Sequence, residues 1–187
     1  NRIITSSHNS DATLARTAEM IAKRISVDAC SIYIYDSDRG ILILKATHGL
    51  DPSTIETVHM LPSEGLVGLV LERSTPVQES QMQKHPRFKS FPQTKEDSFS
   101  SFLGVPLIEH RRSFGVLVVH TTDPRTFSPQ EVQLLSSIAT QISSLVSKAL
   151  LMKELDTASQ KPSILKKKQG ESHQFSGQPV AYGVAIG

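Results

Sequence analysis

The side chains able to bind or react fall in a few places along the 187 residues. Glu64 and Gly65 stand at the head of an apolar stretch, Leu66-Val67-Gly68-Leu69-Val70-Leu71. Its dense apolar residues predict a buried helix over residues 63–71. Free backbone N–H groups at a helix N-terminus favour a carboxylate, and Glu64 beside them could accept an amine. A zwitterionic amino acid would satisfy both. Gly65 and Gly68 lie in the first turn, where close packing or a ligand could require missing side chains. Next come His85, Arg87 and Lys89, within a polar stretch at 79–98. They can reach an anionic group, or they are charges on a solvated loop. Phe88 and Phe91 would pin that stretch to a core in either case. His120 ends an apolar run on the parity of Val116 and Val118. It is a satisfied core histidine or a pocket-lining donor. With Ser101, which opens the preceding run, the candidate ligand-binding residues are Glu64, Gly65, His85, Arg87, Phe88, Ser101 and His120.

None of this reads as catalysis. The seven histidines are scattered with no i, i+4 pair, so no metal site is expected. The one cysteine, Cys30, excludes an intrachain disulfide and points to a reducing, cytosolic setting. It opens a strand-like run and reads as a small core residue. Net charge is +2, which gives no reason to expect nucleic acid or an anionic membrane as partner. No apolar run approaches the roughly 20 residues that span a bilayer.

Elements that would position these residues follow from periodicity. Leu14, Ala18, Ile21, Ala22 and Ile25 recur at helical spacing, with Ser10 or Asp11 available as a cap. CSIYIY and ILILKAT flank a polar DSDRG turn and make a hairpin. A short helix is expected from Ser53 and a short strand over residues 57–61. The polar stretch at 79–98 is long enough to be a lid. FLGVPLI and FGVLVV form a second, central hairpin. Its tip, Glu109-His110-Arg111-Arg112, lacks Asn-Gly or Asp-Gly, so a longer loop is expected. Pro106 calls for a bulge or an unpaired edge. Ser128-Pro129-Gln130-Glu131 is a capping box, opening a helix to about Met152 through Val132, Leu135, Ile138, Ile142, Leu145 and Ala149. Its length invites a partner helix or a second copy. Residues 154–176, with Lys166-Lys167-Lys168, read as a flexible basic linker. The whole is α+β with an antiparallel sheet.

This order of elements, with SIYIYDSDRGILILKATHGL, EGLVGLVLERSTPVQ, FLGVPLI and FGVLVVH, resembles a GAF domain. The resemblance implies a central antiparallel sheet of about six strands, terminal helices on one face, and pocket loops with short helices on the other. His85-Pro86-Arg87-Phe88 ahead of FLGVPLI resembles the GAF domain that opens the nitrogen-type phosphoenolpyruvate-protein phosphotransferases. GQPVAYGVAIG, residues 177–187, resembles the first strand of their catalytic portion. The implied organisation is a sensory domain over 1–153, the linker, and a truncated catalytic start. The resemblance further implies a parent protein that uses Mg²⁺, takes phosphate from phosphoenolpyruvate onto a histidine beyond Gly187, and passes it to a phosphocarrier protein. The fragment would sense a small effector, glutamine being the usual candidate, within a cytoplasmic homodimer. A ligand-free dimerisation module is the alternative. Cyclic-nucleotide GAF domains are a poorer match: Phe127 and Glu131 agree, but Gln130 and His120-Thr121 depart from their pattern, and Glu131 is already explained as a cap. One cysteine likewise argues against the GAF-type methionine sulfoxide reductases.

Overall fold

The computed structural model describes residues 4–159. The first helix, α1 (Ile4–Ile25), starts before the expected cap at Ser10 or Asp11. No proline or glycine interrupts residues 4–10, so nothing forces a start there. It ends at Ser26, whose φ of 53° is left-handed, and Val27 N donates to Ala22 O at 3.1 Å. Strands β1 (Ala29–Asp36) and β2 (Ile41–His48) form the expected hairpin. Its turn is held by Asp36 Oδ1, which accepts from Asp38 N and Arg39 N. A 3₁₀ turn at Pro52–Thr54 stands where a short helix was expected, capped by Asp51. Strand β3 is only His59–Met60. Helix α2 (Gly65–Arg73), strand β4 (Val77–Glu79), strand β5 (Ser101–Glu109), strand β6 (Arg112–Thr121) and helix α3 (Pro129–Ser159) complete the chain.

The six strands form one antiparallel sheet in the order β3-β2-β1-β6-β5-β4. Alternation along β5 and β6 divides two cores. Leu103, Val105, Leu107, Leu117 and Val119 face α1 and α3, meeting Leu14, Ala18, Ile21, Leu135, Ala139 and Val146. Phe102, Val116 and Val118 face the other way, toward α2 and the loops, with Tyr33, Leu44, Met60, Met82 and Phe99. Buried on both faces, these strands carry apolar residues at nearly every position, as central strands should.

Two details of the β5–β6 hairpin bear on the sequence reading. Its tip is tighter than expected, since Glu109 pairs with Arg112 and only His110 and Arg111 lie between them. Both adopt positive φ, 49° and 65°, as the two-residue turn that matches strand twist requires. The twist of the paired strands outweighs the cost of that conformation for two residues with side chains. Pro106 pairs with Val116 of β6, while β4 covers only Phe102 to Gly104 of β5. The proline therefore sits where one edge of β5 is unpaired, and a register irregularity follows at Leu107/Ile108.

Helix α3 opens on the capping box. Glu131 Oε2 accepts from Ser128 N at 2.8 Å and Ser128 Oγ accepts from Glu131 N at 3.3 Å. The cap hydrogen bond from Ser128 N, aided by Ser128 Oγ and Arg125, holds the Glu131 carboxyl below its usual range. The helix runs past Met152 to Ser159, 31 residues in all, because no breaker occurs before Pro162. Its span over Pro129–Met152 is long and apolar enough to cross a bilayer by composition. Leu135, Ala139, Ile142 and Val146 are nevertheless buried against the sheet, the pattern of a core helix. Most of the expected linker, and all of residues 177–187, lie outside the described residues.

Candidate functional site

On the α2 face, residues 80–100 cross the sheet as a lid. Three 3₁₀ turns, Met82–Lys84, Pro92–Thr94 and Glu96–Ser98, stiffen it. Its two ends are tied together by Met82 N donating to Ser100 O at 2.8 Å, and Gln83 Nε2 donates to Phe99 O. Phe88 and Phe91 pack on the core beneath, as expected for this stretch. Asp51 holds the far side, its backbone N–H donating to Thr94 O at 3.3 Å, while its carboxylate meets Lys95 Nζ at 3.3 Å.

Between lid, α2 and sheet lies a small cavity of about 10 Å³, lined by Gly65, Leu66, Phe88, Lys89, Glu96 and Phe102 among others. That is room for about one water molecule. Two ends of opposite character converge on it. One is the start of α2: Glu64 makes no side-chain cap, so the first-turn N–H groups have no intrahelical acceptor. Lys89 Nζ stands beside them. At the other end is Glu96, only 7% exposed.

Behind Glu96 is His120, fully buried, its Nε2 3.1 Å from Glu96 Oε1. The distance is that of an ion pair, but the angle is not that of a hydrogen bond. Among the described residues neither ring nitrogen has a hydrogen-bond partner. Phe99 stacks on the ring at 5.5 Å and Phe102 meets it edge-on at 5.6 Å. Glu96 is aimed by local backbone chemistry: Thr94 Oγ1, itself donating to Phe91 O, accepts from Glu96 N at 3.1 Å. Tyr33 lies on the same core face. Burial, and secondarily the Glu96 charge, pushes its phenol well above the ordinary value. Buried polar atoms without partners are costly, and here they are the two ring nitrogens of His120, behind the cavity wall.

At the mouth, Glu64 and Lys89 form a latch, Oε1 to Nζ 2.6 Å, while Glu64 Oε2 accepts from Leu61 N at 3.0 Å. Lys89, then the Leu61 N–H, lowers the Glu64 carboxyl pKa. Gly65 opens α2 with φ +66° and faces Met60 Sδ no closer than 4.0 Å from a would-be Cβ. Gly68 answers to packing instead, because a Cβ there would lie 2.1 Å from Pro62 O.

The other expected residues are placed elsewhere. Arg87 is spent on α2, donating from Nη1 to Glu72 at 2.5 Å and from Nη2 to Pro62 O at 3.3 Å. His85 Nδ1 accepts from Arg87 N at 3.0 Å, and its Nε2 is 3.8 Å from Glu79. Ser101 Oγ accepts from Arg125 N at 2.7 Å and approaches Asp123 O and Arg125 O, tying the β6–α3 connection to β5. Of the sequence-derived set, Gly65 and Phe88 line the cavity, His120 backs it, and Glu64 closes it. Glu96 escaped the sequence reading. It sits in KEDS, a charged string that resembles any solvated loop, and no periodicity marks a buried carboxylate there.

Residues 9–146 match the family model for the GAF domain. The phosphoenolpyruvate-dependent phosphotransferase system proteins of Escherichia coli (strain K12) and Salmonella typhimurium are 39% identical to this chain over 131 and 129 residues. Those matches cover 70% and 69% of this chain but 18% and 17% of the relatives, so the chain spans under a fifth of their length. Among solved structures, the GAF domain of a phosphoenolpyruvate-protein phosphotransferase from Coxiella burnetii superposes with a TM-score of 0.72 at 26% identity, over 82% of this chain and 93% of that one. Its Acinetobacter counterpart gives 0.69 at 32% identity, over 82% and 93%.

Proposed function

Since this chain belongs to the GAF domain family, we propose that it is the small-molecule-sensing domain that regulates a phosphoenolpyruvate-protein phosphotransferase. The reading rests on the two-ended cavity. The uncapped start of α2 and Lys89 suit a carboxylate, and Glu96 suits an ammonium. An α-amino acid carries both groups at fixed separation, and glutamine is the specific candidate. The cavity is too small for it as it stands, so binding must part the Glu64–Lys89 latch and lift the lid. The ligand then shifts the equilibrium by its differential affinity for open and closed states, and by no more.

The phosphoryl-transfer chemistry, its Mg²⁺ and the phosphocarrier partner belong, on this reading, to parts of the parent outside the domain. Among the described residues no three His, Cys, Asp or Glu side chains are grouped to hold a metal ion, so no step is assigned to Mg²⁺ here. The expected homodimer draws support from exposed Leu145, Met152 and Leu155 on α3 and Met20 on α1. Such a contact would serve ligand sensing and a purely structural module equally.

Calorimetric and thermal-shift titration with L-glutamine tests the reading. Heat and a raised Tm are expected, with about 2.7 kcal/mol of added stability at a hundredfold excess over Kd. Glu96→Gln should abolish both. The 2-oxo analogue, which lacks the amine, should not bind. No response of the unaltered protein at millimolar glutamine would reject glutamine as the ligand.

A further inference from the structure

A second concavity, of about 990 Å³, lies at the other end of the sheet. Its walls are the β1–β2 turn, the β5–β6 turn and the last turns of α3 from Ser147 to Ala158. The floor is apolar: Ile34, Ile43, Phe114 and Leu150. The rim is mostly acidic, with Asp36, Asp38, Glu109 and Glu154. Of the two basic residues there, Lys45 is already neutralised by Glu56 at 2.8 Å. Leu145 and Met152 lie about half a turn round α3 from Ser147 and Glu154 at 3.6 residues per turn. Groove-lining Leu151, itself exposed, lies only about 40° round the helix from Leu155, so groove and exposed apolar surface adjoin there.

We propose that this groove is the docking site of the chain's own segment Ile164-Leu165-Lys166-Lys167-Lys168. Ile164 and Leu165 would cover the apolar floor, and the lysines would meet the acidic rim. Connectivity favours this occupant. Ala158 lines the groove and the segment starts a few residues later. The stretch of α3 from Ser147 to Ala158 is about 17 Å long at 1.5 Å per residue. Residues 160–168, extended, reach about 30 Å at roughly 3.3 Å each, enough to turn back along the whole groove. Tethering supplies an effective concentration in the millimolar range, so a weak contact suffices. The groove floor and the ligand site share strands: Ile34 follows Tyr33 on β1, and Phe114 lies on the strand that ends near His120. Docking would hold the exit toward any following domain against the sensory sheet.

The test is limited trypsin digestion of the full 187-residue chain, timed at Lys166 to Lys168. Cleavage there should be at least tenfold slower than in an Ile164→Asp/Leu165→Asp variant. The reciprocal change on the rim, Asp38→Lys/Glu109→Lys, should release the segment equally. Unfolding in urea, run in parallel, confirms that each variant keeps the domain intact. Equal cleavage of the unaltered and variant chains would overturn the proposal. Protection that rises with protein concentration would also overturn it, by assigning the groove to a second copy.

Discussion

His120 and Glu96 meet at 3.1 Å inside the domain, one from the end of a central strand and the other from a lid turn. The contact joins the central sheet to the lid. His120→Ala should leave a buried carboxylate without its neighbour, at a cost of about 3 kcal/mol or more. Replacing both, as Glu96→Met/His120→Phe, should recover stability to within about 1 kcal/mol while eliminating ligand binding. Urea denaturation of the three proteins measures this. Equal losses in single and double variants would show that the two residues act only as packing.

The Glu64–Lys89 latch should be acid-labile. The Glu64 carboxyl is held below its ordinary value by Lys89 and by the Leu61 N–H. Its contribution is therefore complete above the unfolded carboxyl value of about 4.3 and is lost as pH falls through the lower native value. Amide exchange in residues 85–99, corrected for intrinsic rate, should quicken below about pH 4 while the central strands stay protected. Lys89→Ala should give the same quickening at pH 7.

Gly68 and Gly65 should respond oppositely in cause. Alanine favours helix by about 1 kcal/mol over glycine, so propensity alone predicts that Gly68→Ala stabilises. Pro62 O stands 2.1 Å from the new Cβ, and the overpacking should make the variant less stable by about 1–3 kcal/mol. Gly65→Ala meets no atom inside 4.0 Å but must hold φ +66°, costing about 1 kcal/mol. Thermal unfolding of the pair separates packing from backbone strain.

Cys30 should be silent in the native protein. It is fully enclosed in the helix-side core, and burial pushes its thiol far above the usual range. Labelling by an aromatic disulfide reagent at pH 8 should occur only at the global unfolding rate. A faster reaction would reveal local opening of β1.

Much of the scaffold was legible because periodicity carries it. The continuous apolar runs along 102–119 marked central strands covered on both faces, and Ser128 with Glu131 announced the start of α3. The tip at His110-Arg111 was not, since strand twist imposed a conformation that its residues do not advertise. The extent of α1 and α3 was underread where polar but unbroken sequence continued the helices. Of the candidate site residues, Gly65 and Phe88 line the cavity. Arg87 instead meets Glu72 of α2, because a guanidinium satisfies a helix carboxylate as readily as a ligand. Glu96 required three dimensions: its burial depends on Thr94, Phe91 and His120 together.

Glu79 pairs with Phe102, so the chain leaves the sheet at one rung and rejoins it at the same rung. Everything between is an excursion with coincident ends. Such a segment can lengthen, shorten or melt while every ladder partner remains in place, because closure entropy grows only as the logarithm of length. Recognition and folding are thereby assigned to separate stretches of one polypeptide. A descendant could exchange residues 80–100 wholesale, acquire a new effector, and keep the same sheet to report it.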